Sequence, residues 1–170
     1  MQENTTIAAL ATPPGRGGIA IVRVSGTQAE RLLRAVFLPA GVDGAFESHR
    51  MMYGRAVDGG TPIDECMAVL MRGPRSYTRE DVAELHVHGG DWAANRLLGV
   101  LFSLGAVPAE PGEFTRRAFL NGRIDLSRAE AVMQMIAATG ERAGRAALRG
   151  LQGGASSFVK TAQAELHRTG

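Results

Sequence analysis

The sequence predicts an α+β fold: a mixed β-sheet with a few interleaved helices, followed by a purely helical segment. Three observations predict it. Runs of β-branched and alternating residues recur between residues 7 and 88. Two stretches, 27–37 and 91–104, carry apolar residues at helical spacing instead. After Pro111-Gly112 the strand-type runs stop and only helical periodicity remains. The 170 residues suffice for one good core with an appendage.

Each element has a local reason. Residues 7–12 and 18–25 read as strands, the second β-branched with Arg23 in its middle. Between them Thr12-Pro13-Pro14-Gly15-Arg16-Gly17-Gly18 is a loop of specified shape, because two prolines fix φ and three glycines admit conformations other residues resist. Thr27 can cap a short helix through about Phe37 that puts Leu32, Leu33 and Val36 on one face. Pro39 to Glu47 reads as loop. Met51 to Val57 and Ile63 to Met71 flank Asp58-Gly59-Gly60, a hairpin signal. Residues 73–81 form a long polar turn, and Val82 to His88 is a strand stopped by Gly89-Gly90. Asp91 starts a helix through about Leu104, with Leu97, Leu98, Leu101 and Phe102 apolar. In the last third, Ser127-Arg128-Ala129-Glu130 has the form of a capping box ahead of Val132, Met133, Met135 and Ile136. A second helical stretch follows Thr139-Gly140. Its stripe of Leu148, Leu151, Ala155, Phe158, Ala162 and Leu166 is weakened by Gly150, Gly153 and Gly154, each by ~1 kcal/mol relative to alanine.

Composition sets bounds. Apolar content of 45% and charged content of 21% are those of an ordinary globular protein. No apolar run approaches the ~20 residues of a membrane span, and the first residues lack the basic start of a secretory signal. Cys66 is the single cysteine, so no intrachain disulfide forms, which suits a cytoplasmic protein. The net charge of +2 hides an asymmetry: residues 1–112 hold ten Arg/Lys against twelve Asp/Glu, and residues 113–170 hold nine against five. The basic last third suits an anionic partner such as RNA, and equally a solvated helix surface.

Several motifs bear on chemistry. A glycine-rich loop beside the strand-borne Arg23 reads either as a pocket for an anionic or hydrogen-bond-rich small molecule or as a tight turn into an edge strand with Arg23 facing solvent. Alternation puts Glu84, His86 and His88 on one strand face. That set could ligate zinc, but with no further His or Cys cluster it reads better as a polar cleft or a self-satisfied hydrogen-bonded group. His88-Gly89-Gly90 before Asp91 puts a glycine turn at a helix N-terminus. Cys66 reads as a small buried hydrophobe. No G-x-x-x-x-G-K-[S/T] and no G-x-S-x-G occurs. No catalytic residue and no metal ligand is assigned.

Four segments carry a resemblance. They are 11–18 with 21–26; Ser76-Tyr77-Thr78-Arg79-Glu80-Asp81-Val82 through His88-Gly89-Gly90; Pro111-Gly112-Glu113-Phe114 through Asn121-Gly122-Arg123-Ile124-Asp125-Leu126; and Ala129-Glu130-Ala131-Val132. In order and spacing they resemble the N-terminal region of the bacterial tRNA uridine-modification GTPase family (TrmE, or MnmE), across nearly the whole chain. The resemblance implies a folate-binding and dimerisation domain at residues 1–117, similar to the tetrahydrofolate-binding part of the glycine-cleavage T protein. It implies the first helices of a helical domain at 118–170. The GTPase domain, with its GTP, Mg²⁺ and K⁺, is absent, so the chain is expected to be a fragment.

On the same resemblance the cofactor is 5-formyltetrahydrofolate or another reduced folate, held by Arg23, Glu80 and Arg123. Arg123 stands where the family commonly has lysine, which keeps charge but not geometry. A reduced folate presents pterin N–H donors that suit Glu80 and an anionic glutamyl tail that suits arginine. The expected partners are a second copy of the domain, the FAD-dependent protein MnmG, and, through the full complex, tRNA, whose wobble uridine receives an aminomethyl or carboxymethylaminomethyl group at C5. No membrane partner is expected. Two other readings stand beside this one: a scaffold module with a vestigial pocket, and a stand-alone folate-dependent aminomethyltransferase.

Overall fold

The structure, a computed structural model, describes residues 5–41 and 45–152. It divides into two compact units, the first ending at Phe114 and the second beginning at Thr115.

The first unit is built on a seven-stranded mixed sheet. Its strands are β1 (Ile7–Leu10), β2 (Ile19–Ser25), β3 (Phe37–Pro39), β4 (Met51–Asp58), β5 (Thr61–Met71), β6 (Val82–His88) and β7 (Val107–Pro108), in the spatial order β3-β4-β5-β6-β2-β1-β7. All neighbours are antiparallel except β1 and β7. Strand alternation sorts β2 and β6 cleanly. Ala20, Val22 and Val24, with Ala83, Leu85 and Val87, belong to the main core together with Leu32, Leu33 and Val36 of α1 (Ala29–Val36) and Leu97 and Leu101 of α2 (Asp91–Ser103). Burying each such leucine is worth roughly 1.5–3 kcal/mol. The alternate residues, Ile21, Arg23 and Ser25 on β2 and Glu84 and His86 on β6, therefore share the opposite face of the sheet, and the register sets Arg23 directly across from Glu84.

Local chemistry explains the turns. The β4–β5 connection has two central residues, Gly59 and Gly60, both with positive φ (55° and 91°), the geometry of a type I′ hairpin that favours glycine. α2 ends in a Schellman motif: Gly105 has φ 102°, its N–H donates to the Phe102 carbonyl, and the Ala106 N–H donates to the Leu101 carbonyl.

Three expectations are corrected. Thr27 does not cap α1. The helix starts two residues later with no side-chain cap, and the N–H of its N-cap residue Gln28 donates to Oγ1 of Thr6, the residue just ahead of β1, at 2.9 Å. Phe37 and Pro39 are not helix end and loop but the edge strand β3. Its main chain is drawn in by Gly54, where a Cβ would come within 2.2 Å of the Leu38 carbonyl oxygen. Strand β2 is central, not an edge.

The second unit is helical. α3 (Glu113–Leu120) spans the division, and two residues past its end Gly122, with φ 69°, turns the chain. α4 (Leu126–Ala137) and α5 (Glu141–Leu151) follow. The N-cap of α4 is Asp125, not Ser127: its carboxylate accepts the Arg128 N–H at 2.9 Å and sets a negative charge at the positive helix end. Gly150 is a contact, since a Cβ there would stand 2.8 Å from Ala131 Cβ. Of the predicted α5 stripe, Leu148 and Leu151 lie in the helix, and the positions from Ala155 onward, like Gly153 and Gly154, lie outside the described residues. Among the described residues no helix is long and apolar enough to cross a membrane.

Candidate functional site

The sheet face opposite the helices carries a polar group built from β2, β6 and the turn between β5 and β6. On β2, Arg23 and Ser25 lie two residues apart and so point the same way. Arg23 Nε donates to Glu84 Oε1 at 2.7 Å, and the other Glu84 oxygen lies 3.3 Å from His86 Nε2. The Arg23 guanidinium sits 5.7 Å from the Tyr77 ring centre and 5.4 Å from that of Phe114, within the range of cation–π attraction. Tyr77 comes from the polar turn. Phe114 is set by the start of α3, where the Glu113 carboxylate accepts the Glu110 N–H at 2.8 Å. Arg23 is neither solvent-facing nor fully buried, its side chain being 27% exposed.

The same turn delivers Glu80. Ser25 Oγ donates to Glu80 Oε2 at 2.7 Å and lies 2.7 Å from Thr78 Oγ1, while the Glu80 N–H reaches Thr78 Oγ1 at 3.3 Å. An ionised carboxylate only accepts, so the Ser25 proton goes to Glu80 and Thr78 must donate to Ser25. The three bonds close a ring that fixes the Glu80 side chain to its own backbone. Asp81 anchors the turn, its Oδ1 accepting the Gly73 N–H and its carbonyl accepting the Gly26 N–H. Arg79, just before Glu80, holds φ 62°, a left-handed conformation uncommon for a side chain of this size.

Of the three residues expected to hold a ligand, Arg23 and Glu80 are thus brought together on one face, through Ser25. Arg123 belongs to the second unit, exposed just past the end of α3. Ser25, Thr78, Tyr77 and Phe114 were not singled out from sequence. Ser25 carried one signal, being a hydroxyl on the same strand face as Arg23, and Tyr77, Thr78 and Phe114 carried another, standing inside the segments that bear the resemblance.

Two expectations about pockets change. The glycine-rich loop and Arg23 do not form one pocket. A cavity of about 390 Å³ beside the loop is lined by Leu10, Thr12, Arg16, Ala20, Asp91 and Asn95 among others, and not by Arg23. Ala20 belongs to the helix-side core, so the cavity opens on the other face of the sheet. The loop is instead locked to the end of β6: the Gly89 N–H donates to the Gly18 carbonyl at 3.2 Å, and a Cβ on Gly89 would stand 2.1 Å from the Gly17 carbonyl oxygen. Nor do Glu84, His86 and His88 converge. His88 turns to Asp64 of β5, with 2.8 Å from Nδ1 to Oδ1 and 2.7 Å from its backbone N–H to Oδ2. That carboxylate pushes the His88 ring above its usual range. Among the described residues no three His, Cys, Asp or Glu side chains are placed to hold a metal ion. Cys66 is buried, and burial pushes its thiol up to about 12.

Residues 6–123 match the family described as GTP-binding protein TrmE N-terminus. The chain belongs to this family. Curated relatives named tRNA modification GTPase MnmE agree along nearly the whole chain. One from Geobacter sulfurreducens is 52% identical over 170 residues, covering 99% of this chain and 37% of the relative. One from Listeria innocua is 48% identical over 164 residues, covering 96% and 36%. One from Roseiflexus castenholzii is 53% identical over 139 residues, covering 81% and 30%. The chain thus corresponds to the N-terminal region of the TrmE family and spans about a third of the length of these relatives. The mixed sheet with helices on one face is the fold of a TrmE N-terminal domain, and Arg23, Glu80, Ser25 and Arg123 all lie within the matched residues.

Proposed function

We propose that the Arg23–Glu80 face binds a reduced folate of the 5-formyltetrahydrofolate type, which supplies the one-carbon unit for C5 modification of the wobble uridine of tRNA by the whole protein. The observation that supports this most is the pairing on one sheet face of a carboxylate held by a closed hydrogen-bond ring with a guanidinium within cation–π range of two aromatic rings. A pterin edge offers N–H donors to such a carboxylate, and its flat ring suits aromatic walls. A glutamyl tail suits the arginine. Arg123 is proposed as a third contact on the family resemblance alone. The whole protein, on this reading, works in the cytoplasm with the flavin-dependent MnmG and with tRNA, and hydrolyses GTP through a domain that the present chain does not contain.

Isothermal titration with 5-formyltetrahydrofolate tests the reading. Saturable binding is expected, weakened about ten-fold or more by Arg23→Ala and by Glu80→Gln, the scale of a lost charged hydrogen bond. Absence of heat with the unaltered chain rejects it and leaves the scaffold reading. Aminomethyl transfer by this chain alone would favour the stand-alone enzyme.

Self-association through the first unit belongs to the same proposal. The sheet face that bears Arg23 also exposes Leu38, Met51, Tyr53 and Met67 at its β3–β5 end, each between 40% and 55% exposed. Two-fold pairing is the commonest way to cover such a surface. Met67→Glu should shift the chain toward monomer in light scattering. An unchanged mass would place the interface elsewhere.

A further inference from the structure

Arg23 spends one nitrogen on the protein. Its Nε goes to Glu84 at 2.7 Å, and among the described residues Glu84 is its only hydrogen-bond or ion-pair partner, so both Nη groups are left without one. Two aromatic rings lie near the guanidinium, Tyr77 at 5.7 Å and Phe114 at 5.4 Å from ring centre to Cζ. Glu84 is itself held, because its second oxygen lies against His86 Nε2 and its side chain is only 15% exposed. The register fixes the alignment, since Arg23 and Glu84 are direct partners across β2 and β6, and Val69 of β5 stands on the far side of Glu84.

We infer that Glu84 is a positioning residue of the Arg23 site: by holding Nε it aims the two Nη donors of Arg23, as a preset fork, at an anionic group of the ligand. This rests on the folate reading of that face. A planar guanidinium presents its donors in a fixed fan, so occupying Nε from one side determines where the Nη pair points. A free arginine would give up rotamer freedom on binding, and a prealigned one gives up less. Glu84 need not touch the ligand to matter.

The role depends on the reach of the carboxylate as well as its charge, which separates positioning from charge balance. The experiment is isothermal titration of the chain with 5-formyltetrahydrofolate, for the unaltered protein, Glu84→Gln, Glu84→Asp, Arg23→Ala and the double variant Arg23→Ala/Glu84→Gln, with thermal unfolding of each. Glu84→Asp keeps the charge but withdraws the oxygens by one methylene. Both Glu84 variants are expected to bind about ten-fold more weakly. The double variant is expected to bind no more weakly than Arg23→Ala, since the effect passes through Arg23. Glu84→Asp at unaltered affinity overturns the inference, as do losses that multiply in the double variant. If Glu84→Gln does not fold, Glu84→Asp carries the decision. No binding by the unaltered chain would instead reject the folate reading, and the inference with it, a result distinct from binding that ignores Glu84.

Discussion

Ser25 and Glu80, 55 positions apart, are joined by a 2.7 Å hydrogen bond from a fully buried hydroxyl to a carboxylate at the end of a long turn. That bond ties the polar turn to the central strand and places Glu80 on the face that carries Arg23. Ser25→Ala removes the donor to Glu80 and the acceptor for Thr78 together. The expected result is a loss of about 1–2 kcal/mol in stability and several-fold weaker folate binding. Denaturant unfolding and calorimetry on the same preparation check both. Unchanged stability would mean that the ring contributes nothing to the fold.

Gly89→Ala is expected to destabilise the chain by roughly 1–3 kcal/mol. The new Cβ meets main-chain atoms, the Gly17 carbonyl oxygen at 2.1 Å and the Ile19 nitrogen at 2.9 Å, which cannot rotate away as a side chain could. Hydrogen exchange should localise the damage to the glycine-rich loop and the start of β2. Damage confined to the β6–α2 turn would show that the loop is not held there.

The His88–Asp64 pair gives a pH dependence of known sign. The hydrogen bond and charge of Asp64 raise the His88 pKa above its usual value near 6.5. The pair therefore stabilises the folded chain fully below that usual value, and the contribution disappears as pH rises through the raised one. NMR titration of the imidazole should find an elevated midpoint that falls toward the ordinary value in Asp64→Asn. An identical midpoint in both proteins would contradict the contact.

Gly150→Ala sets two effects against each other. Alanine gains up to ~1 kcal/mol of helix propensity. The added methyl, however, stands 2.8 Å from Ala131 Cβ, which is rooted directly on the α4 backbone. Overpacking of this kind costs typically 1–3 kcal/mol, so a net loss of stability is expected. A rise in the melting temperature would show that α4 and α5 separate at little cost.

Several features of this fold were legible locally. Asp58-Gly59-Gly60 between two strand-type runs demanded a tight hairpin, because two successive positive φ values favour glycine. Leu97 and Leu101 marked the buried stripe of α2, because helical spacing puts them on one face. The Arg23–Glu80 face was only half legible: both residues stand in motifs of the sequence, while the Ser25, Thr78, Tyr77 and Phe114 contacts around them depend on segments far apart in the chain. Thr27 and Ser127 look like caps from their neighbours. Asp125 caps α4 in place of Ser127, whereas α1 has no side-chain cap and the Thr6 hydroxyl, from far away in the chain, takes the Gln28 N–H.

By itself the sequence determined the strand runs, the helical stripes and the glycine turns, since these depend on φ and ψ preferences and on hydrophobic period within a few residues. Tertiary structure alone decided that β6 lies beside β2, so that Glu84 meets Arg23 across 61 positions and Glu80 meets Ser25 across 55. It also decided that the glycine-rich loop and Arg23 serve opposite faces of one sheet. The reason is physical: a strand fixes which residues alternate, but its neighbours and register come from backbone bonding and core packing between segments far apart in the chain.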